Sequence, residues 1–141
     1  MIYIALGSNL GNKDTNLSSA CDHLSELGII CAKSSILENP AMLLPNSPKE
    51  WDISFKNQVI SLLTSLAPHE LLSACQEIER KMGRIKISKW APRIIDIDIL
   101  WYHGIVVNTD KLTLPHPGTF NRSFVTPLMF EIAPHMAEKV K

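Results

Sequence analysis

The segment Ile94-Ile95-Asp96-Ile97-Asp98-Ile99-Leu100 constrains this chain more than any other part of it. Two acids stand in an otherwise apolar run. Alternation of this kind belongs to an extended strand, where every second side chain shares a face. A strand over residues 94–101 turns Ile95, Ile97 and Ile99 toward a core and sets Asp96 and Asp98 on one face, about 6–7 Å apart. Carboxylates that close repel each other and are costly unless a cation sits between them. Hard divalent metals take oxygen ligands, and Mg2+ uses one or two carboxylates together with substrate phosphates. Two such ions can clamp a displacement at phosphorus. A solvent-facing pair on an edge strand, or a pair neutralised by Arg93, satisfies the same pattern.

The rest of the chain supplies one domain around that strand. Its 141 residues, 45% apolar and 20% charged, suit a single globular unit over residues 1–141. Lysine plus arginine equals aspartate plus glutamate at 14 each, so a general nucleic-acid binder is disfavoured. No apolar run approaches the length of a membrane helix, and no basic leader precedes Ile2, so neither a membrane nor a secreted role is expected. Cys21, Cys31 and Cys75 are odd in number and lack CxxC spacing, which points to the cytoplasm rather than to a disulfide framework or zinc site.

Periodicity predicts strands at residues 2–6, 29–37, 55–66 and 94–101, with a short partner strand for the last at 105–107 after a His103-Gly104 turn. Helical spacing appears over residues 14–27, closed by Gly28 in the C′ position, from Pro68 to Gly83, and over 124–132. Three long loops remain, at 39–52, 84–92 and 114–118. Strand–helix–strand, repeated, predicts an α+β fold: a four-stranded antiparallel sheet with helices packed on it in the ferredoxin-like manner, plus a small hairpin and mobile loops.

Other residues qualify for chemistry. Arg80, Lys81, Arg84, Lys86, Lys89 and Arg93 run without an intervening acid and concentrate positive charge beside Asp96 and Asp98. A polyanion with a divalent metal, such as a nucleoside triphosphate, satisfies both sets; a solvated basic loop is the plainer alternative. Gly7-Ser8-Asn9-Leu10-Gly11-Asn12-Lys13 lacks both Walker and GxGxxG spacing, which leaves a turn on Gly7 and Gly11 or backbone that lines a site without holding the triphosphate. Trp51, Phe55, Trp90 and Phe124 are candidates to sandwich a planar heterocycle, or core residues. His116 lies between two prolines, six residues before Arg122.

Taken together, Lys89-Trp90-Ala91-Pro92-Arg93-Ile94-Ile95-Asp96-Ile97-Asp98-Ile99-Leu100 resembles the signature of the 6-hydroxymethyl-7,8-dihydropterin pyrophosphokinase family. Ala5-Leu6-Gly7-Ser8-Asn9-Leu10-Gly11, Pro115-His116-Pro117 with Arg122 and Phe124, and Glu131-Ile132-Ala133-Pro134 agree with it in order along nearly the whole chain. The resemblance implies an α+β fold and an ATP-dependent diphosphokinase of folate biosynthesis, which moves pyrophosphate from ATP to the pterin hydroxymethyl group and releases AMP. It implies two Mg2+ ions on Asp96 and Asp98, with Arg84 and Arg93 as catalytic cations. Glu79, Lys86, Trp90, His116 and Arg122 would line the ATP side. Phe55 and Phe124 would sandwich the pterin, with Asn57 and the segment at Asn39, Pro40 and Met42 reading its polar edge. It also allows fusion to dihydropteroate synthase in a longer protein. Two rival readings stand beside it. One is a kinase that transfers only the γ-phosphoryl group; the other is a non-catalytic module that binds nucleotide or RNA.

Overall fold

The computed structural model describes residues 1–41, 43–84, 91–120 and 122–140, without the side chains of 138–140. Strand β1 (Ile2–Ser8) runs inside a five-stranded sheet, antiparallel to β4 (Phe55–Leu63) on one side and to β5 (Asp96–Tyr102) on the other. β2 (Ile29–Lys33) and β3 (Leu37–Asn39) both pair antiparallel with the far edge of β4, so the sheet order is β2-β4-β1-β5 with β3 beside β4. A separate ribbon joins β6 (Val107–Asn108) to β7 (Thr113–Leu114).

Helices α1 (Lys13–Ser25) and α2 (Pro68–Lys81) cover one face of the sheet, where Ile4, Leu6, Ile60, Ile97 and Ile99 meet Leu17 and Leu24 of α1 and Leu71 and Ile78 of α2. Helix α3 (Thr126–Ile132) covers part of the other face, packing Leu128 and Met129 on Tyr3, Val59 and Leu100. Cover on both faces explains why the central strand β1 is apolar almost throughout rather than alternating. Among the described residues no helix is long and apolar enough to cross a membrane.

The α+β class and the antiparallel sheet agree with expectation, but the strand count does not. The run at 29–37 divides into β2 and β3 because Ser34 takes the chain off the ladder. Its hydroxyl accepts the Val59 N–H at 2.9 Å, and its own N–H donates to the Val59 carbonyl at 2.9 Å. The chain then rejoins β4 at Leu37, opposite Asn57, which makes a fifth strand. The predicted partner strand at 105–107 does not pair with β5. Ile105 and Val106 are exposed, and Val107 pairs instead with Leu114, a contact across residues that local alternation does not register.

Gly28 serves a different purpose from the one the helix pattern suggests. α1 ends at Ser25, and Gly28 passes so close to β4 that a Cβ there would lie 2.1 Å from the Leu63 carbonyl oxygen. A side chain at this point has to push one backbone off another, since neither atom belongs to a flexible side chain. Gly28→Ala is therefore expected to lower unfolding free energy by about 2–3 kcal/mol. Urea denaturation followed by circular dichroism would measure this, and a loss under about 0.5 kcal/mol, the range of a neutral surface change, would refute the close approach.

Candidate active site

Two rows of residues across the sheet form the floor of one cleft. Ala5 pairs with Val59 on one side and Asp98 on the other, and Gly7 pairs likewise with Asn57 and Asp96. All six line a cavity of about 260 Å³, bounded further by Asn39, Phe55, Arg93, Arg122 and Phe124. The small central residues create the depth. A Cβ on Gly7 would stand 3.1 Å from Asn57 Oδ1 and 3.5 Å from the Phe55 ring. Gly7 is thus part of a strand that opens the cleft, whereas the turn that follows rests on Gly11, whose φ is +75°.

The two acids are ringed by guanidinium groups from three separate segments. Asp96 Oδ1 lies 3.1 Å from Arg84 Nη1, and its Oδ2 lies 3.5 Å from Arg93 Nη1. Asp98 Oδ2 lies 3.8 Å from Arg122 Nη1. Burial pushes the Asp98 carboxyl up to about 7; the negative charge of Asp96 adds to that, and Arg122 opposes it. Arg93 and Arg122 also stand over aromatic rings, each with its guanidinium carbon 5.9 Å from a ring centroid, Arg93 over Phe55 and Arg122 over Phe124. Arg122 lies along Gly118, where a Cβ would come within 2.6 Å of its Nε.

An irregularity in β5 secures the loop that carries His116. Ile4 pairs with Ile99 but Tyr3 pairs with Trp101, so Leu100 is an extra residue in the ladder. Its carbonyl accepts the His116 N–H at 2.9 Å and the Thr119 hydroxyl at 3.1 Å. Gly118 N–H donates to His116 Nδ1 at 2.9 Å, which puts the proton of the neutral ring on Nε2. Burial, reinforced by Arg122, holds the His116 pKa below its usual value, so the neutral ring is favoured.

Not every predicted site residue reaches the cleft. Glu79 lies behind Arg84: its Oε2 accepts from Arg84 Nη1 at 2.6 Å and from the Ile97 N–H at 2.8 Å. Burial raises the Glu79 pKa against the pull of those two donors. Pro40 is exposed and lines a neighbouring open depression with Glu38 and Asp52. Asn39 is in the cleft, where its Oδ1 accepts a hydrogen bond from Asn57. Met42, Lys86, Lys89 and Trp90 lie outside the described residues. Among the described residues of the basic run, Arg80 is turned to solvent on Glu77 while Arg84 and Arg93 turn inward. Sequence reasoning missed the part played by Ala5, Gly118 and Asn9, because a small residue in an apolar strand, or a small or amide residue in a loop, carries no mark of what the fold packs against it.

Carboxylate oxygens, arginines and aromatic walls in one cleft of an α+β domain suit a metal-bound polyphosphate beside a planar ring. Residues 3–134 match the family described as 7,8-dihydro-6-hydroxymethylpterin-pyrophosphokinase (HPPK), and the chain belongs to that family. The 2-amino-4-hydroxy-6-hydroxymethyldihydropteridine pyrophosphokinase of Methylorubrum extorquens is 38% identical over 136 residues, covering 95% of this chain and 83% of that protein. The folate synthesis bifunctional protein of Chlamydia caviae is 42% identical over 135 residues, 94% of this chain. This chain spans only 30% of the length of that relative. A crystal structure of an HPPK-DHPS in complex with substrates superposes with a TM-score of 0.67 at 15% identity, covering 99% of this chain and 41% of that one. That likeness concerns the fold.

The raised Asp98 pKa sets a pH dependence. Below about pH 4 the carboxyl is protonated in both folded and unfolded chains; between there and about pH 7 the unfolded chain has released its proton and the folded chain keeps it. Asp98 therefore contributes a stability that declines as pH rises through this window, and by pH 8 the folded state carries the full cost of the charge. In metal-free buffer Asp98→Asn should raise the thermal midpoint at pH 8 by roughly 5 °C, and by much less at pH 4. Calorimetric scans at the two pH values would show it, and an equal shift at both would contradict the burial of that charge.

Proposed function

We propose that this chain transfers pyrophosphate from ATP to the hydroxymethyl group of 6-hydroxymethyl-7,8-dihydropterin, releasing AMP, as a step in folate synthesis. One observation carries the reading: Asp96 and Asp98, with Arg93 and Arg122, share a single cleft with Phe55 and Phe124. Membership of the pyrophosphokinase family over residues 3–134 supports it. The connectivity, two strand–helix–strand units on one antiparallel sheet, supports the ferredoxin-like description of the core.

In this reading the pterin lies between Phe55 and Phe124, and the amide of Asn57 reads its polar edge, with Asn39 beside it. Arg84, Arg93 and Arg122 now pair with carboxylates. A polyphosphate arriving with its metal would exchange those partners, phosphate for the arginines and cation for the acids. The donor set suits Mg2+. Among the described residues no three His, Cys, Asp or Glu side chains gather; those residues offer two carboxylates here, and phosphate and water would fill the remaining positions. Asp96 and Asp98 would hold the ions, two of them in this reading; when bound, they neutralise phosphate charge and acidify the attacking hydroxyl.

The pterin hydroxyl oxygen bonds to the β-phosphorus. The bond from that phosphorus to the α,β-bridging oxygen breaks, AMP keeps the electron pair, and the hydroxyl proton passes to solvent. Little covalent chemistry is asked of the protein. Asn57, Phe55 and Phe124 orient the hydroxyl, and the arginines hold the chain of phosphates in line. His116, with its proton on Nε2, is a neutral donor for a phosphate oxygen.

The chlamydial relative is named as a bifunctional protein of which this chain matches 30%, and the solved neighbour is an HPPK-DHPS, so we read the domain as one that can be fused to dihydropteroate synthase. Free thiols at Cys21, Cys31 and Cys75 suit the cytoplasm.

The test is product identity. ATP, Mg2+ and 6-hydroxymethyl-7,8-dihydropterin should give AMP that depends on the pterin, and Asp98→Ala should lower kcat on the order of 10²–10³-fold. Formation of ADP instead would make the protein an ordinary kinase, and undiminished AMP from Asp98→Ala would take the acids out of the reaction.

A further inference from the structure

The loop between β1 and α1 buries a polar residue that the reaction above leaves without a task. Asn9 is only 1% exposed. Its backbone N–H donates to the Arg93 carbonyl at 3.1 Å, and its Oδ1 accepts the Arg93 N–H at 2.8 Å. Its Nδ2 donates to the Ile53 carbonyl at 3.2 Å. One amide thus joins two segments that are forty residues apart in sequence, through an acceptor on one side and a donor on the other.

Both segments lead straight into the cleft. Arg93 stands three residues before Asp96 and ion-pairs with it. Ile53 stands two residues before Phe55, the first residue of β4. The Arg93 guanidinium in turn lies over the Phe55 ring. The loop at 53–54 belongs to no strand or helix, and neither does Arg93, so regular secondary structure does not set their separation. A buried amide with both ends satisfied does, because releasing either end leaves a buried polar group unpaired.

We propose that Asn9 is a positioning residue that sets the distance between Arg93 and Phe55, and through them the distance from polyphosphate to pterin ring. This rests on the pyrophosphokinase reading of the cleft. It requires an acceptor toward Arg93 and a donor toward Ile53 on two separate atoms, which among residues of this size asparagine supplies and the single hydroxyl of threonine does not.

The two ends are separable by substitution. Asn9→Asp keeps the acceptor and loses the donor; Asn9→Ala loses both. The probes are the Mg2+ complex of α,β-methylene-ATP for the nucleotide side and 6-hydroxymethylpterin fluorescence for the ring side, at pH 8. Asn9→Asp should weaken pterin binding about tenfold while nucleotide binding stays within about twofold, and Asn9→Ala should weaken both about tenfold. If both variants melt earlier yet bind both probes as the wild type does, the residue is only structural and the proposal is overturned. Equal loss on the two sides in Asn9→Asp overturns it as well.

A wild-type measurement covers variants that fail to fold. Asn9 is too buried for a ligand to touch, so slower hydrogen exchange of its backbone N–H, which donates to the Arg93 carbonyl, on adding the nucleotide probe alone would show Arg93 tightening on it; unchanged exchange overturns the proposal. AMP formation by the wild type is assayed alongside. If no AMP appears, the pyrophosphokinase reading falls, and the tether between Arg93 and Phe55 is decided by the exchange result.

Discussion

Asp96 and Asp98 lie two residues apart on one strand face, where each raises the energy of the other's charge and the sheet withholds much of the water that would relieve it. Much of what surrounds them answers that repulsion. Arg84 comes from the segment just after α2, Arg93 from the segment that enters β5, and Arg122 from the approach to α3. Three parts of the chain that are distant in sequence are drawn to one point by the same two charges. The Coulombic gain is moderate at such distances in a partly wet cleft, so these pairs add little to the stability of the fold.

The sheet makes this possible through its middle strand. β1 presents large apolar residues, Ile4 and Leu6, to the two long helices and small ones, Ala5 and Gly7, to the cleft. Side chains of one strand therefore build the core and the binding floor at once, because alternation hands them to opposite faces. α3 covers only part of the second face, packing on Tyr3, Val59 and Leu100 and leaving the end that holds the acids open. The extra residue at Leu100 marks the boundary. Its carbonyl accepts from the His116 N–H and the Thr119 hydroxyl, which anchors the His116 loop to β5.

Hydrogen-bonded loops complete the site where regular structure ends. Glu79 spends its carboxylate on Arg84 and the Ile97 N–H, so it orients a cation and pins β5 to α2 rather than facing the cleft. Ser34 and Asn9 act similarly in other places, each replacing a missing backbone partner with a side-chain atom. Such residues look alike in sequence, short and polar, and differ only in what the fold brings to them.

Local pattern determined a good deal by itself. Alternation at Asp96 and Asp98 reported a strand and a shared face, helical spacing reported α1 and α2, and Pro68 marked the start of α2, because each of these depends on neighbours within a few residues. The family motif named the acids, arginines and aromatics that share the cleft. Tertiary structure alone decided the rest. It split residues 29–37 into two strands through Ser34, took the partner of β6 from 113–114, pressed Gly28 against Leu63, moved Glu79 behind Arg84, and gave Asn9 its two ends. Each of these turns on a contact between residues far apart in the chain, and the partner in such a contact leaves no trace in the local spacing of either one.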